Sequence, residues 1–539
     1  MVTSSDYFFE IPGELRSYLK GYTMPAVFDA VVAQRGDHPA VFAGESFYTW
    51  KQWQDDARAL ASALGDLGVR RGDVVGVHLP NSWEFLVAHV AVAMQGAVML
   101  PLHMAHAERE ISALLERTAA RFLIVPTKYR GHEQYTLTQH LVDKVASLEK
   151  LLVVGDNPQS LPDTIHFDAL LQQGRGRPWT SVPIKPEDPF VLVASSGTTS
   201  SRPKICLHSH DGLLSNAWAT AMDGLASSDD VILSGSPFTH LFGMLSIHIS
   251  LLMGGGQSLL PQWNADDCLK RAQDTQSTIL FAVPTQVRDL LGILDRKSQY
   301  RLGVREIRTG GAAVPKELVT GVREKLNARM VIQWGMSEVG SGIFTRPADS
   351  DEVASCSVGM PVLGAEVRIL SDGQPTPNGE SGELYYRSPY MFHGYYGEWR
   401  MTNESVDSET WLHTGDLASW NHDGTIQYRG RRTEMINRGG LKFSALEVES
   451  LLSDMAEIAQ HAIMPRFDQR LGERACLVVA FAPGRSITLD EVCRHLADKG
   501  LAKYKWPEEL VVLEVLPTTP TGKIARAGLK EAVSAVEQI

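Results

Sequence analysis

Six short stretches of the chain carry side chains suited to anions, metal ions and hydroxyl groups. The first is "VASSGTTSSRPKICLHSH", Val193 to His210, in which Ser195, Ser196, Thr198 and Thr199 surround Gly197 and Lys204 follows Pro203. Successive backbone N–H groups in a turn-rich segment make an anion nest, the hydroxyls add donors, and Lys204 adds a point charge. A Walker loop needs GxxxxGK[ST]; here no glycine directly precedes Lys204 and Ile205 follows it. The stretch is a phosphate-binding candidate of another kind, and on composition alone it reads equally well as a polar loop. In "RTGGAAVP", Gly310, Gly311, Ala312 and Ala313 leave room for a flat ring against the backbone, or form a tight strand-to-helix turn. In "QWGMSEVG", Trp334 offers an aromatic face, Ser337 a hydroxyl and Glu338 a carboxylate able to hold Mg²⁺. "WLHTGDLASW" places Asp416 after Gly415 in an expected turn, where the carboxylate suits ribose hydroxyls or an Asx-turn. Arg431 in "YRGRRTE" suits a ribose or phosphate, or the open surface. Lys523 sits in "PTTPTGKIAR", a proline-bracketed loop.

Strands alternating with helices must position these loops. "DVVGVHLP", "VMLPLH", "PFVLVAS", "DDVILSGSP", "TILFAVP", "VREIRTGG" and "ARMVIQWG" are short apolar runs that read as buried strands. Helical segments lie between them, among them "SWEFLVAHVAVAMQGA" and a stretch with Leu60, Ala61, Leu64 and Leu67 on one face. Such alternation implies α/β architecture, with parallel sheets covered by helices on both faces, and ligands beyond the carboxyl ends of the strands. After about Gly359 the chain becomes β-rich ("GELYYRSPYMFHGYYG", "GTIQYRGRR"), with an Asp423-Gly424 turn signal. A separate small α+β domain is expected from Thr433, giving domains at 1–432 and 433–539.

With 539 residues the chain exceeds one hydrophobic core. A net charge of −12 without a basic run argues against a nucleic-acid partner. Five scattered cysteines without a CxxC argue for a reducing compartment. The polar N-terminus and the lack of a long apolar run point to the cytoplasm, with no membrane partner.

Each signal is weak alone, but their order is specific. The set "SSGTTSSRPK", "GGAAVP", "QWGMSE", "HTGDL", "YRGRRTEMINRGG" and "PTGK", from about Phe47 to Lys523, resembles the adenylate-forming superfamily. That superfamily comprises acyl- and aryl-CoA ligases, peptide-synthetase adenylation domains and luciferases. The resemblance implies an ATP-dependent carboxylate–CoA ligase that forms acyl-AMP and passes the acyl group to CoA; the alternative acceptor is the phosphopantetheine arm of a separate carrier protein. It further implies that Ser195, Ser196, Gly197, Thr198, Thr199 and Lys204 close over the triphosphate. Gly311, Ala312, Ala313, Trp334, Gly335 and Met336 would meet the base, Trp334 standing where the family usually has tyrosine. Ser337 would lie near the α-phosphate, Asp416 and Arg431 at the ribose with Tyr428 nearby, and Glu338 at Mg²⁺. Lys523 would bridge the carboxylate and the α-phosphate, and His240 would lie beside the carboxylate. A swing of the mobile C-terminal domain about Thr433, where the family has Asp or Lys, would then bring Arg438, Gly439 and Gly440 in for CoA.

The acyl pocket expected from the resemblance is lined by His240, Phe242, Gly243, Phe281, Val283, Gly310 and Trp334. This apolar, partly aromatic wall without lysine or arginine disfavours a dicarboxylate and suits an aromatic, alicyclic or short-to-medium acid, with Trp334 narrowing the site. Ser200 and Ile205 replace glycines of the family loop. Expected partners are the small carboxylic acid and CoA or a carrier protein, with a homodimer as the assembly to test.

Overall fold

The computed structural model describes the chain except for residues 135–137, 139, 156–163, 178, 195–202, 298–299, 313, 440, 520–522 and 538–539, and the side chain of Lys442. Among the described residues, two large sheets form the bulk of the chain. The nine-stranded sheet runs, edge to edge, through Met360–Pro361, Gly340–Phe344, Arg329–Met336, Glu306–Gly310, Ile279–Phe281, Val231–Ser234, Gly256–Ser258, Pro39–Ala43 and Ser46–Thr49. The seven-stranded sheet runs through Ile205–Ser209, Pro189–Ala194, Val98–Pro101, Val74–Val77, Phe122–Pro126, Lys150–Val154 and Thr164–His166.

The interior strands are parallel, in keeping with the apolar runs of most of them, and helices cover them. Several edge strands depart from the expected all-parallel pattern because short hairpins replace crossovers there. Ile205–Ser209 pairs antiparallel with Pro189–Ala194, and Gly340–Phe344 turns back antiparallel on Arg329–Met336. The element that follows Lys204 is therefore a strand, whereas a Walker lysine opens a helix.

The two sheets share one core. Val41 of the first and Val75 and Val77 of the second pack with the helices Trp83–Met94 and Leu241–Met253. Trp83–Met94 is buried nearly all round, as its continuous apolar sequence demands. His89 and His248, one from each helix, share a 2.9 Å Nε2–Nε2 hydrogen bond inside this layer. Burial lowers the pKa of both, so one neutral imidazole donates to the other.

A five-stranded antiparallel sheet follows, ordered Gln374–Pro375, Glu366–Ser371, Gly382–Arg387, Leu412–Trp420 and Ile426–Arg431. Its inner face packs on Trp334, Val339 and Ile343. A fourth sheet begins at Met435–Arg438 and includes Leu441–Ser444, Ile458–Asp468, Gly472–Phe481 and Glu509–Val512. Among the described residues, no strand of the two large sheets or the third sheet lies beyond Arg431. The intervening Arg432–Glu434 is a short 3-10 turn. No helix among the described residues is long and apolar enough to cross a membrane.

Candidate active site

The carboxyl ends of the parallel strands open onto a cavity of about 590 Å³. Glu306–Gly310 ends there in two glycines that cannot be replaced freely. A Cβ on Gly310 would lie 2.4 Å from the Gln333 carbonyl oxygen. Gly311 has φ +83°, a conformation that disfavours any L side chain, and its Cβ would lie 2.7 Å from Cε of Lys523. Lys523 thus enters the cavity from the C-terminal part of the chain and rests against the backbone of the central sheet. Its own loop is held by a hydrogen bond from its N–H to Thr519 Oγ1, 3.2 Å, and by a bridge between Thr518 and Ile524.

Asp416 lies within the strand Leu412–Trp420, which corrects the turn read from its sequence: Gly415, at φ +70°, bends the strand without ending it. Antiparallel register sets Asp416 directly opposite Arg431. The Arg431 Nε–Asp416 Oδ1 distance is 2.7 Å, and Trp334 Nε1 donates to Asp416 Oδ2 at 2.7 Å. The Asp416 carboxylate is 3% exposed, and Oδ1, though ion-paired, receives no well-directed hydrogen bond among the described residues. A buried acceptor in that state fits a ribose hydroxyl. Burial raises the Asp416 pKa against the opposing pull of Arg431, Trp334 and Lys523. Burial and the Arg431 charge lower that of Lys523, with Asp416 opposing. Tyr428, on the same strand as Arg431, is held un-ionised by burial and by Asp416.

Glu338 sits between the strands Arg329–Met336 and Gly340–Phe344. The amide of Asn216 clamps Ser341 on both sides, donating to its carbonyl at 2.8 Å and accepting from its N–H at 2.9 Å. His208 donates through Nε2 to the Ser337 carbonyl at 2.7 Å. Tyr395 O–H donates to Glu338 Oε1 at 2.7 Å, and Lys204 Nζ bonds the same hydroxyl at 3.3 Å. Lys204, Tyr395 and Glu338 therefore form one polar chain. Oε2 of Glu338 takes no hydrogen bond among the described residues. The expected phosphate-loop residues Ser195, Ser196, Gly197, Thr198 and Thr199, with Ser200 and Ser201, lie outside the described residues, as do Ala313 and Gly440.

His240 caps the helix Leu241–Met253 and accepts the Phe242 N–H through Nδ1 at 3.3 Å. The ring proton is thereby placed on Nε2. Burial, then the Lys523 charge, lowers its pKa to about 4, so the ring is neutral near pH 7. Asn81, from the other large sheet, fixes this loop: its amide donates to the Ser236 carbonyl at 3.0 Å and accepts from the Phe238 N–H at 2.7 Å.

The cavity wall differs from the one expected. His240, Phe242, Val283 and Gly310 line it, but Gly243, Phe281 and Trp334 do not. Gly243 is pressed to the Pro237 backbone, where a Cβ would lie 2.1 Å from the carbonyl oxygen. Phe281 is wholly buried beside Phe242 and Arg308. Trp334 is buried in the core beneath the third sheet and bonds Asp416, so it does not narrow this cavity. Gly335, Met336 and Gly311 do line the cavity; Ala312 and Ser337 are not among its lining residues. The wall also carries His103, Arg130 and His132, cationic or ionisable groups that the sequence reading did not place there.

Arg438 and Gly439 lie away from the cavity. Arg438 Nε donates to Glu508 at 2.6 Å, and Gly439, at φ +61°, donates to the Leu471 carbonyl at 2.7 Å. Thr433 is exposed in the 3-10 turn.

A buried carboxylate–arginine pair, a lysine from the C-terminal part and a cavity at the carboxyl ends of parallel strands suit the activation of an acid through a nucleotide. The family models agree: residues 28–396 match the AMP-binding enzyme model and 447–523 the AMP-binding enzyme C-terminal domain. The chain belongs to the AMP-binding enzyme family, and it is an AMP-forming acid–thiol ligase. It is 30% identical to a salicylyl-CoA synthase / salicylate adenylyltransferase from a Streptomyces species, over 96% of this chain and 94% of that one. It is 29% identical to a 3-[(3aS,4S,7aS)-7a-methyl-1,5-dioxo-octahydro-1H-inden-4-yl]propanoyl:CoA ligase of Mycobacterium tuberculosis, over 94% and 98%. The anthranilate CoA ligase AuaEII, solved with anthranoyl-AMP, shares the fold with a TM-score of 0.87 at 24% identity, covering 96% of this chain and 98% of that one.

Proposed function

We propose that this chain joins ATP to an aromatic, alicyclic or short-to-medium-chain carboxylic acid, releases pyrophosphate, and passes the acyl group to CoA. The observation that carries this reading is the placement of Lys523 against Gly311, in the cavity that His240 lines and near enough to Asp416 and Arg431 to feel both charges. Attack of a carboxylate on the α-phosphorus brings two anions together, and a desolvated ammonium where charge gathers stabilises that transition state. His240, with its proton on Nε2, donates to the acid and orients it. Asp416 and Arg431 hold the ribose. Lys204 reaches the outer phosphates, anchored by Tyr395.

Magnesium fits Glu338. The carboxylate is buried, and among the described residues only one of its oxygens takes a hydrogen bond. Among the described residues no group of three or more ligating side chains gathers, so phosphate oxygens and water would complete the shell. The ion supplies charge neutralisation to the phosphates when bound. CoA would be met by Arg438 and Gly439 after the C-terminal part, from Thr433 on, has turned.

The relatives act, by their names, on a hydroxybenzoate and on a bicyclic propanoate, and a cavity of about 590 Å³ is roomy enough for either class. ATP–pyrophosphate exchange across benzoates, cyclohexanecarboxylate and short-to-medium fatty acids tests the first half-reaction. No exchange with any acid sinks the reading, and exchange without a CoA thioester product points to a carrier-protein thiol instead.

A further inference from the structure

The short hairpin Lys128–Tyr129/His132–Glu133 borders the mouth of the cavity. Its turn residues Arg130 and Gly131 have φ +51° and +77°, the pattern of a type I′ turn. Glycine meets that demand freely. Arginine does not, and asparagine or aspartate would be the relaxed choice at Arg130. A strained residue whose side chain faces a cavity is a candidate for function.

Three further observations concern the same wall. Arg130 has no carboxylate partner among the described residues; its guanidinium lies 5.4 Å from the Tyr129 ring centroid. The neighbouring acid Glu133 is instead paired with Lys128 at 3.2 Å. His103 reaches the cavity from the end of the strand Val98–Pro101, accepts the Ala105 N–H through Nδ1 at 3.1 Å, and its buried Nε2 has no partner among the described residues. A proton on that Nε2 makes it a donor aimed at whatever fills the site. Burial, helped by the neighbouring histidines and Arg130, which oppose a further positive charge, holds the His103 pKa down to about 3, so it donates as a neutral ring. His103 and Arg130 line the cavity from the chain that follows two strands of the seven-stranded sheet, while His240 follows a strand of the nine-stranded sheet and Lys523 enters from the C-terminal part. Donors thus reach the acyl space from separate elements. Among the described residues on the cavity wall, Asp289 is the one carboxylate, and it is turned to Trp263 by a 3.0 Å hydrogen bond.

We propose that the acid used by this chain carries a second oxygen acceptor, a ketone or a carboxylate, remote from the reacting carboxyl group, and that Arg130 and His103 recognise it. This rests on the ligase reading above and reverses the expectation, drawn from the inner wall alone, that a dicarboxylate is disfavoured. The hairpin is the specificity element, and its strained turn fixes Arg130 over the mouth.

The test uses ATP–pyrophosphate exchange with the full chain, in the absence of CoA, on two series: 3-cyclohexylpropanoate with its 4-oxo and 4-carboxy analogues, and octanoate with 7-oxooctanoate and octanedioate. The readout is the ratio of kcat/KM for each acceptor-bearing acid to that of its parent, in which a general loss of activity cancels. A site built to bond a polar group rejects the analogue lacking it, so the wild-type ratio is expected to be at least about tenfold in one series or both. Arg130→Asn, which relieves the turn, and His103→Phe are each expected to lower that ratio several-fold. A wild-type ratio at or below one in both series overturns the proposal, as does a ratio that neither substitution changes. Exchange with an unsubstituted benzoate but with none of these acids overturns the proposal, whereas failure of every acid, benzoates included, overturns the ligase reading itself, a distinct result.

Discussion

Trp334 and Asp416, 82 residues apart, are joined by a 2.7 Å hydrogen bond from the indole N–H to a buried carboxylate oxygen. The bond ties the nine-stranded sheet to the five-stranded one at the point where the ribose is expected. It also explains a tryptophan at a position where the resemblance suggested a stacking ring: the indole spends its face on the core and its N–H on the carboxylate.

Trp334→Phe keeps the apolar contact and removes the donor. A hydrogen bond to a buried charged group is worth about 1.5–3 kcal/mol, so the denaturation midpoint should fall. Asp416, freer to turn toward Arg431, should hold ATP less well. The expected result is an ATP KM raised about tenfold in pyrophosphate exchange, with the acid KM little changed. An unaltered ATP KM sinks the positioning role.

Gly311 and Lys523 should fail together. An alanine at 311 forces a side chain into φ +83° and into contact with Lys523 Cε, at a strain cost of about 1–2 kcal/mol. Gly311→Ala should therefore displace the lysine and cut adenylation toward the level of Lys523→Ala, about 10²–10³-fold below wild type. Combining the two substitutions should add little further loss, because both remove one interaction. Full additivity of the two losses counts against it.

Much of this arrangement is legible in one sequence. Most interior strands announce themselves because a strand buried on both faces is a continuous apolar run, as in "VLVA" and "ILF"; "EIRTG" is an exception, its buried Glu306 and Arg308 being paired with each other. The loops stand out because small residues, carboxylates and lysines follow those runs. What is hidden is register and long-range packing. Nothing near Asp416 reveals that its strand continues past Gly415 or that Arg431 lies opposite. Nothing near Trp334 says which way the indole points. Tyr395, Asn81 and Asn216 position Glu338 and the His240 loop from distant elements, and "PNSWE" and "SNAWA" carry no sign of it. His103 and Arg130, like Leu79 to Asn81, follow strands of the seven-stranded sheet, so a pocket assembled from the motifs of the nine-stranded sheet omits them.

The pH dependence of exchange should be a narrowed bell. Asp416 must be ionised and Lys523 protonated for the proposed roles. Burial raises the first pKa above the ordinary aspartate value, and burial with Arg431 lowers the second below the ordinary lysine value. The acid limb should therefore lie above the usual carboxylate range and the basic limb below the usual lysine range. Between its lowered pKa in the cavity and its ordinary value when withdrawn, Lys523 binds its proton more weakly in the closed arrangement. Closure is thus favoured as pH rises there, while the charge needed for chemistry is lost. Lys523→Arg keeps a permanent charge and should abolish the basic limb at reduced kcat. A basic limb that persists unmoved in this variant assigns it to another group.

Arg438 provides the complementary separation of the two half-reactions. Where Lys523 rests in the cavity, Arg438 is committed to Glu508 and lies away from the bound nucleotide's expected place. If the C-terminal part turns to present Arg438 and Gly439, the two residues serve different steps. Lys523→Ala should abolish pyrophosphate exchange yet still form thioester from supplied acyl-AMP and CoA. Arg438→Ala should do the reverse, leaving exchange near wild type and raising the KM for CoA roughly tenfold, the loss of one charge-assisted contact. Glu508→Gln loosens the arginine in the resting arrangement without removing it, and is expected to leave the CoA KM unchanged or lower. Single-turnover measurement of each half-reaction in the three variants decides the matter. Parallel loss of both half-reactions in Lys523→Ala and in Arg438→Ala contradicts a turn between two working arrangements.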